Sequence, residues 1–379
     1  MHVHLIRPQE LGPAEIGAWH SMQRATPSLA NPFLSPEFAI AAGHDRPNAQ
    51  VAVLNEGQSL VGFFPFERRR LGLGVPIGGR LSHYQGLVHA PGADWDPREL
   101  LRGCQLSAWQ FDNLVVGQQP FKPYHAAAGP SPIIDLTDGF DDYYAKLRTR
   151  SPRFCRELAR KTRKLGREVG DIRIVADSRD SGLLHTLMAW KSDQYRRTGV
   201  GDSFERRWIA GLLEALLSTH SCQVSGLLSV LFAGDQPVAA QFGLRTGSLM
   251  AGWYTGYDKR FARYSPGLIH LMQMSQQLGH MGINAIYMGK GARRYTKALK
   301  NSDVLFAEGI VTSRSALGAV HGVWGASTRW AVRTVREHPR FHRAADRALR
   351  RSGVSRWTYG RILTAGHAGA ASLPNSGTW

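Results

Sequence analysis

Two strand–turn–strand patterns constrain this chain more than any other feature: VAVLNEGQSLVGFFPFERR at 51–69 and SVLFAGDQPVAAQFGLRTGSLMAGWYTG at 229–256. In each, a run of aliphatic, β-branched and aromatic residues breaks at a glycine-containing turn and resumes, which is the pattern of a β-hairpin. Helical stretches precede both, residues 9–25 and 35–43 the first and 181–218 the second. The chain therefore reads as two halves with a common α-then-β layout, a tandem repeat divided near 135–145. Its 379 residues, 43% of them hydrophobic, suffice for two cores.

Charge bounds the partners. Lys and Arg number 47 against 29 Asp and Glu, a formal net charge of +18, and such a surface attracts polyanions, phosphate-bearing cofactors or acidic membranes. Two regions concentrate it. Residues 135–171, rich in Lys and Arg from Lys146 to Arg167, predict one or two cationic helices ending near Gly166 and Gly170. Beyond about 312, eleven arginines face only Glu337 and Asp346. Trp324, Trp330, Val332 and Val335 interleave with these arginines as on an amphipathic helix resting on the protein body or on an anionic membrane. The last residues, HAGAASLPNSGTW, read as disordered.

Cys104, Cys155 and Cys222 are far apart and form no CxxC or Cys/His spacing, so neither a disulfide framework nor a metal site is expected. No signal-peptide pattern and no membrane-length apolar run occur, and the expectation is a cytoplasmic protein, at most peripheral at the inner membrane face. The histidines form no triad spacing and GxSxG is absent, which leaves a serine-hydrolase reading without support.

Between the second hairpin and the basic tail lies GYDKRFARYSPGLIHLM, residues 256–272. A strand over 248–256 runs into an aromatic and cationic loop, and helical apolar spacing begins at or just after Pro266, with Ser265 as the expected N-cap. A helix N-terminus with Gly267 allowing close approach, flanked by Lys259, Arg260 and Arg263, is suited to a phosphate or pyrophosphate. An ordinary strand-to-helix turn with solvated charges is the alternative. Residues 283–311 then read as a strand at 284–288, a Gly-x-Gly turn, a short helix and a final strand.

Four segments together, SPRFCRELARKTRKLG, WKSDQYRRTG (190–199), GYDKRFARYSPG and MGKGARRYTKAL, resemble the CelD-like acetyltransferases. These are GNAT-fold proteins named after cellulose biosynthesis and related in architecture to FemAB-type transferases. The likeness covers about 141–312, with 1–140 a fainter GNAT-like half and 313–379 a basic helical extension. It implies an α/β fold of tandem GNAT-like domains with mixed, mostly antiparallel twisted sheets flanked by helices. It also implies an acyl-CoA, with acetyl-CoA the expected one, held by the loop Tyr264, Ser265, Pro266, Gly267 and Leu268. The loop departs from the usual Arg/Gln-x-x-Gly-x-Gly/Ala pattern, with Tyr264 first and Ile269 last. In GKGARRYTK, Ala292 and Thr296 stand where such proteins carry an acidic residue and a lysine, and Lys297 follows one place later, turned about 100° on a helix.

Acyl transfer needs a base for the acceptor, a donor to the oxyanion and an acid for the thiolate. Asp193 is the expected base, or else a helix-face carboxylate paired with Arg197. Tyr287 or Tyr295 is the expected acid, with Lys297 a further catalytic candidate and a backbone N–H of 250–256 the oxyanion donor. Trp190, Lys191, Gln194, Gln241, Trp253 and Tyr254 are expected to line the acceptor cleft, the aromatics more as wall than as machinery. The acceptor expected from the resemblance is a small molecule or glycan of the cell envelope, polysaccharide or glycolipid type, taking the acyl group on an amine or hydroxyl. Two further readings stand: a FemAB-like transferase using aminoacyl-tRNA, and a degenerate GNAT-fold binding module.

Overall fold

The computed structural model describes residues 1–199, 201–219, 221, 223–289 and 298–322. The first half runs β1 (His2–Ile6), α1 (Pro13–Ala25), α2 (Pro36–Gly43), β2 (Ala49–Glu56), β3 (Ser59–Arg68), β4 (Leu73–Pro76), β5 (Val88–His89), α3 (Pro97–Gly103), β6 (Ala108–Val115) and β7 (His125–Asp135). The second runs α4 (Phe140–Arg150), α5 (Pro152–Glu168), β8 (Ile172–Ser178), α6 (Ser181–Thr198), α7 (Arg207–Ser218), β9 (Ser225–Ala233), β10 (Gln236–Arg245), β11 (Leu249–Tyr257), α8 (Pro266–His280), β12 (Ala285–Tyr287) and β13 (Ser302–Thr312). The cationic stretch forms two helices, and Gly166 lies inside α5 instead of ending it.

Among the described residues one sheet takes in every strand, in the order β1-β2-β3-β4-β6-β13-β7-β12-β11-β10-β9-β8, with β5 beside β3. Neighbours are antiparallel except at β4/β6 and β11/β12. The same element thus recurs in each half: four antiparallel strands, then a parallel step. The hairpin-turn glycines, Gly57 (φ 59°) and Gly234 (φ 58°), lie 177 residues apart, as do the starts of β7 and β13. Both turns need the left-handed backbone that glycine adopts without steric cost.

At the centre the halves trade strands. β13 of the second half lies between β6 and β7 of the first, and β7 of the first lies between β13 and β12 of the second. Each half is therefore completed by the other's terminal strand.

The core follows from this continuity. Over one face of the sheet, α1 and α2 and the second half's α6 and α7 share a single apolar cluster that includes Trp19, Phe33, Phe38, Leu187 and Leu213. Trp19 stacks on Phe63 at 4.7 Å and donates its indole N–H to the Leu34 carbonyl at 2.8 Å. The opposite face carries two separate clusters, one under α3 and one under α4, α5 and α8. Polar contacts also cross between halves on the shared face, with Ser221 donating to Glu37 at 2.8 Å and the Arg46 guanidinium 4.3 Å over the Trp208 ring.

Candidate active site

The parallel step between β11 and β12 is short. β12 pairs only with Leu249, Met250 and Ala251, so among the described residues the β11 edge from Gly252 to Tyr257 has no strand partner on that side. On its other side β11 stays paired with β10, but the register shifts: Phe242 faces Tyr254 and Gly243 faces Gly252. Trp253 is thus the extra residue of a β-bulge, a device that bends a strand and re-aims its groups. A Cβ on Gly252 would meet Gln241 Nε2 at 2.5 Å and the Tyr287 carbonyl at 3.1 Å, so only glycine fits where the strands separate.

At the end of β11, Asp258 opens a 3-10 turn, Lys259–Tyr264, that leads to α8. Ser265 is the N-cap position, but its side chain does not cap. It sits in the left-handed region (φ 56°, ψ 53°), and its Oγ accepts a hydrogen bond from Lys161 Nζ on α5 at 2.9 Å. The Ser265 carbonyl takes the N–H groups of Leu268 and Ile269, while the Gly267 N–H has no acceptor among the described residues. A largely buried ammonium therefore stands beside an open N–H at a helix start, where the macrodipole favours an anion. Lys161 was not singled out from sequence, because nothing in a basic amphipathic helix marks one lysine from its neighbours.

Lys161 also lies 3.7 Å from Glu157, and the two loop arginines have partners of their own. Arg260 forms a two-point contact with Asp258 at 2.9 and 2.6 Å. Burial works against the Asp258 carboxylate, yet its bonds to Arg260 hold its pKa below the usual range. Arg263 reaches Glu168 at 3.4 Å and the Tyr264 hydroxyl, and Tyr264, buried, donates to Glu168 at 2.6 Å. Tyr264 thus tethers the loop to α5 and leaves anion contact to the backbone. Pro266 and Ile269 are buried, and Leu268 packs at the edge of the same cluster.

The WKSDQYRRTG helix is sorted by its two faces. Trp190 packs on β11, its Cβ 3.4 Å from where a Gly256 Cβ would stand, and Lys191 is buried, donating to Gln194 at 2.9 Å with Tyr195 5.0 Å beneath. Asp193 faces away, 63% exposed and ion-paired with Arg196, one residue before the expected Arg197. It does not line the cavity where the strands part. Gln241 is buried on β10 and accepts from Thr255 at 3.2 Å. Trp253 packs on Phe33, Phe38 and Phe242, and Tyr254 on Phe204, as walls.

Tyr287, the last residue of β12, does line that cavity, together with His83, Tyr84, Ser131, Gly252 and Gly289 among others. Tyr84 donates its hydroxyl proton to the Tyr287 oxygen, and burial raises both phenol pKa values. Burial drives His83 down to about 4, against the pull of Asp112 and a hydrogen bond to the Gly252 carbonyl, so the ring is neutral near pH 7. His83 and Tyr84 lie about 145 residues before the second hairpin, and no spacing rule connects them to it. Tyr295, Lys297, Ala292, Thr296 and the tail from residue 323 lie outside the described residues.

Among the described residues no group of three or more His, Cys, Asp or Glu is placed to hold a metal, and no helix is long and apolar enough to cross a membrane.

Comparison with known proteins agrees with this architecture. Residues 152–297 match the family described as acetyltransferase (GNAT) domain. A search of curated proteins returned no match. Among solved structures, FemX superposes with a TM-score of 0.54 at 11% identity, over 82% of this chain and 96% of FemX. The C-terminal domain of a protein from Agrobacterium fabrum, named as a lysylphosphatidylglycerol synthetase, gives 0.50 at 12% identity, over 79% and 93%. The chain has a tandem GNAT-like fold, and residues 152–297 within it match the acetyltransferase (GNAT) domain family.

Proposed function

We propose that this protein is an acyltransferase of the CelD-like type, moving an acetyl group from acetyl-CoA to a cell-envelope, polysaccharide or glycolipid-type acceptor. The observation that carries the reading is the pairing of two features at the ends of one strand edge. At one end β11 parts from β12 at Gly252, and at the other α8 opens with Gly267 N–H and Lys161 beside it. The five steps from Gly252 to Tyr257 span about 17 Å, long enough for an extended pantetheine arm whose amides pair with the free strand edge. The pyrophosphate then rests on Gly267 and Lys161, and the thioester lies by Gly252, where a backbone N–H of β11 stabilises the oxyanion.

Holding acyl donor and acceptor together supplies much of the rate. Tyr287 then acts as the acid for the departing thiolate, with Tyr84 hydrogen-bonded behind it. Residues 1–140 and 141–312 act as two GNAT-like domains around this cleft, with 313–379 a basic extension, in the cytoplasm where acyl-CoA is made. The lipid-type acceptor rests on the CelD-like resemblance and on the name of the lysylphosphatidylglycerol synthetase whose domain superposes on this chain.

Calorimetric titration of acetyl-CoA into the full chain tests the reading. Binding by the wild type, weakened about tenfold in Lys161→Met, a difference of about 1.4 kcal/mol, is expected. Absence of acetyl-CoA binding overturns it, and salt-sensitive tRNA binding in its place favours aminoacyl-tRNA as the donor.

A further inference from the structure

α5 carries a row of arginines on the side turned away from the core. Arg153, Arg156, Arg160, Arg163 and Arg167 are all exposed and follow one another at steps of three, four, three and four residues, the spacing that keeps side chains on one face of a helix. Cys155, Leu158 and Leu165 hold the opposite side in the apolar cluster beneath. At the helical rise per residue the row is about 21 Å long.

The helix does not neutralise this row. Arg160 bonds Glu157, whereas Arg153, Arg156, Arg163 and Arg167 make no hydrogen bond or ion pair among the described residues. Glu168, the other carboxylate of α5, is engaged by Tyr264, Arg263 and Lys164. Like charges this close repel one another, and an anionic surface laid along the row relieves all of them at once.

Beside the row, α4 and α5 form an open groove of about 570 Å³. Arg156 of the row and Arg148 of α4 are its exposed cations, while Tyr144, Pro152, Cys155 and Ala159 line it with mostly apolar groups. Cation beside apolar wall matches a phospholipid, which carries its phosphate on glycerol and ester-linked chains. A nucleic acid calls instead for rings on which bases stack, and Tyr144, the aromatic residue of the groove, already stacks on Phe140 at 5.8 Å.

We propose that the α4–α5 face is a docking surface for an anionic phospholipid bilayer, with the arginine row lying along the headgroups and one headgroup entering the groove beside Arg148 and Arg156. Lys161 stands about 100° round the helix from Arg160, so the contact leaves the ammonium at Ser265 to one side. The docking requires neither acyl-CoA nor an acceptor, and it stands or falls apart from the acyltransferase reading.

The test is co-sedimentation of the full chain with vesicles of phosphatidylcholine alone or of equimolar phosphatidylcholine and phosphatidylglycerol, at about 0.1 M salt. Binding to the mixed vesicles only is expected, with release at about 1 M salt, where charge is screened within about 3 Å. Arg156→Gln combined with Arg163→Gln is expected to bind the mixed vesicles roughly 25-fold more weakly, at roughly fivefold for each arginine near an anionic surface. Arg70→Gln combined with Arg102→Gln, at two exposed positions of the first half, removes the same charge and is expected to cost less than twofold. None of the four side chains has a partner to lose among the described residues, and both variants are expected to melt with the wild type. Equal binding to the two kinds of vesicle, a loss smaller than fivefold in the α5 pair, or an equal loss in both pairs overturns the proposal. So does bulk tRNA that displaces the wild type from mixed vesicles and itself loses affinity in the α5 pair, an outcome that makes the face a nucleic-acid surface.

Discussion

Ser265 and Gly267 show how one loop divides its tasks between neighbours. A serine at a helix start ordinarily satisfies an N–H of the first turn. Here it is held at φ 56° with its hydroxyl turned to Lys161, and backbone strain of this kind collects at functional sites. Gly267 has room for a methyl group, since an added Cβ would meet only the Tyr257 ring, at 3.8 Å. Gly267→Ala is therefore expected to leave the melting temperature unchanged while weakening acetyl-CoA binding about tenfold or more by crowding the pyrophosphate. Calorimetry beside a thermal melt checks both halves of that statement. Tyr287→Phe keeps the ring and its packing but removes the proton, and about a 10²-fold fall in kcat with little change in KM is expected from steady-state kinetics.

At the scale of elements, the strands and helices with regular periodicity were legible in the sequence and the centre of the sheet was not. α2, α8, the first hairpin and β11 lie within a residue or two of where apolar spacing puts them, the second hairpin begins four residues earlier, at Ser225, and 181–218 resolves into α6 and α7. β7, HAAAGPSPIID, carries Pro130 and Pro132, which argue against a strand with partners on both sides. It succeeds because the Pro132 carbonyl points to the β12 side, where it accepts the Met288 N–H. Two residues earlier Pro130 points the same way, so the ladder to β13 needs neither missing N–H. The candidate site was legible only as position: Gly267 stands in the first turn of the helix and Tyr287 on the strand that the sequence predicts, whereas the placing of Lys161 and His83 comes from tertiary packing that no local pattern records. The Lys161 contact joins α5 to α8. Because that ammonium is largely buried, its contribution to phosphate binding is expected to persist from 50 to 300 mM salt better than that of the exposed Arg160, which the acetyl-CoA affinities of Lys161→Met and Arg160→Met across that range would show.

For the whole molecule, buried titratable groups set the acid limit of stability. His270 is fully buried with Nε2 bonded to Ser229, and burial takes its pKa from 6.5 down to about 4. His83 moves the same way. The unfolded chain binds these protons first, so their contribution is complete above about pH 6.5 and is lost as pH falls toward 4, roughly 3 kcal/mol for His270. Glu37 resists burial through its bonds to His20 and Ser221, and its pKa is lowered, so its contribution is lost only at still lower pH. Urea midpoints between pH 8 and 4 are expected to fall from about 6.5 downward, with a shallower slope in His270→Gln.

The traded strands also set an order of events during synthesis. β6 and β7 leave the ribosome long before Ser302–Thr312, the segment that lies between them. At about 5–20 residues per second, the first half waits on the order of ten seconds or more with two strand edges open. The nascent chain is thus most exposed to wrong pairing in its older half, and ending it before Ser302 is expected to make that exposure permanent, seen as aggregation of a protein that keeps its helices but never closes its sheet.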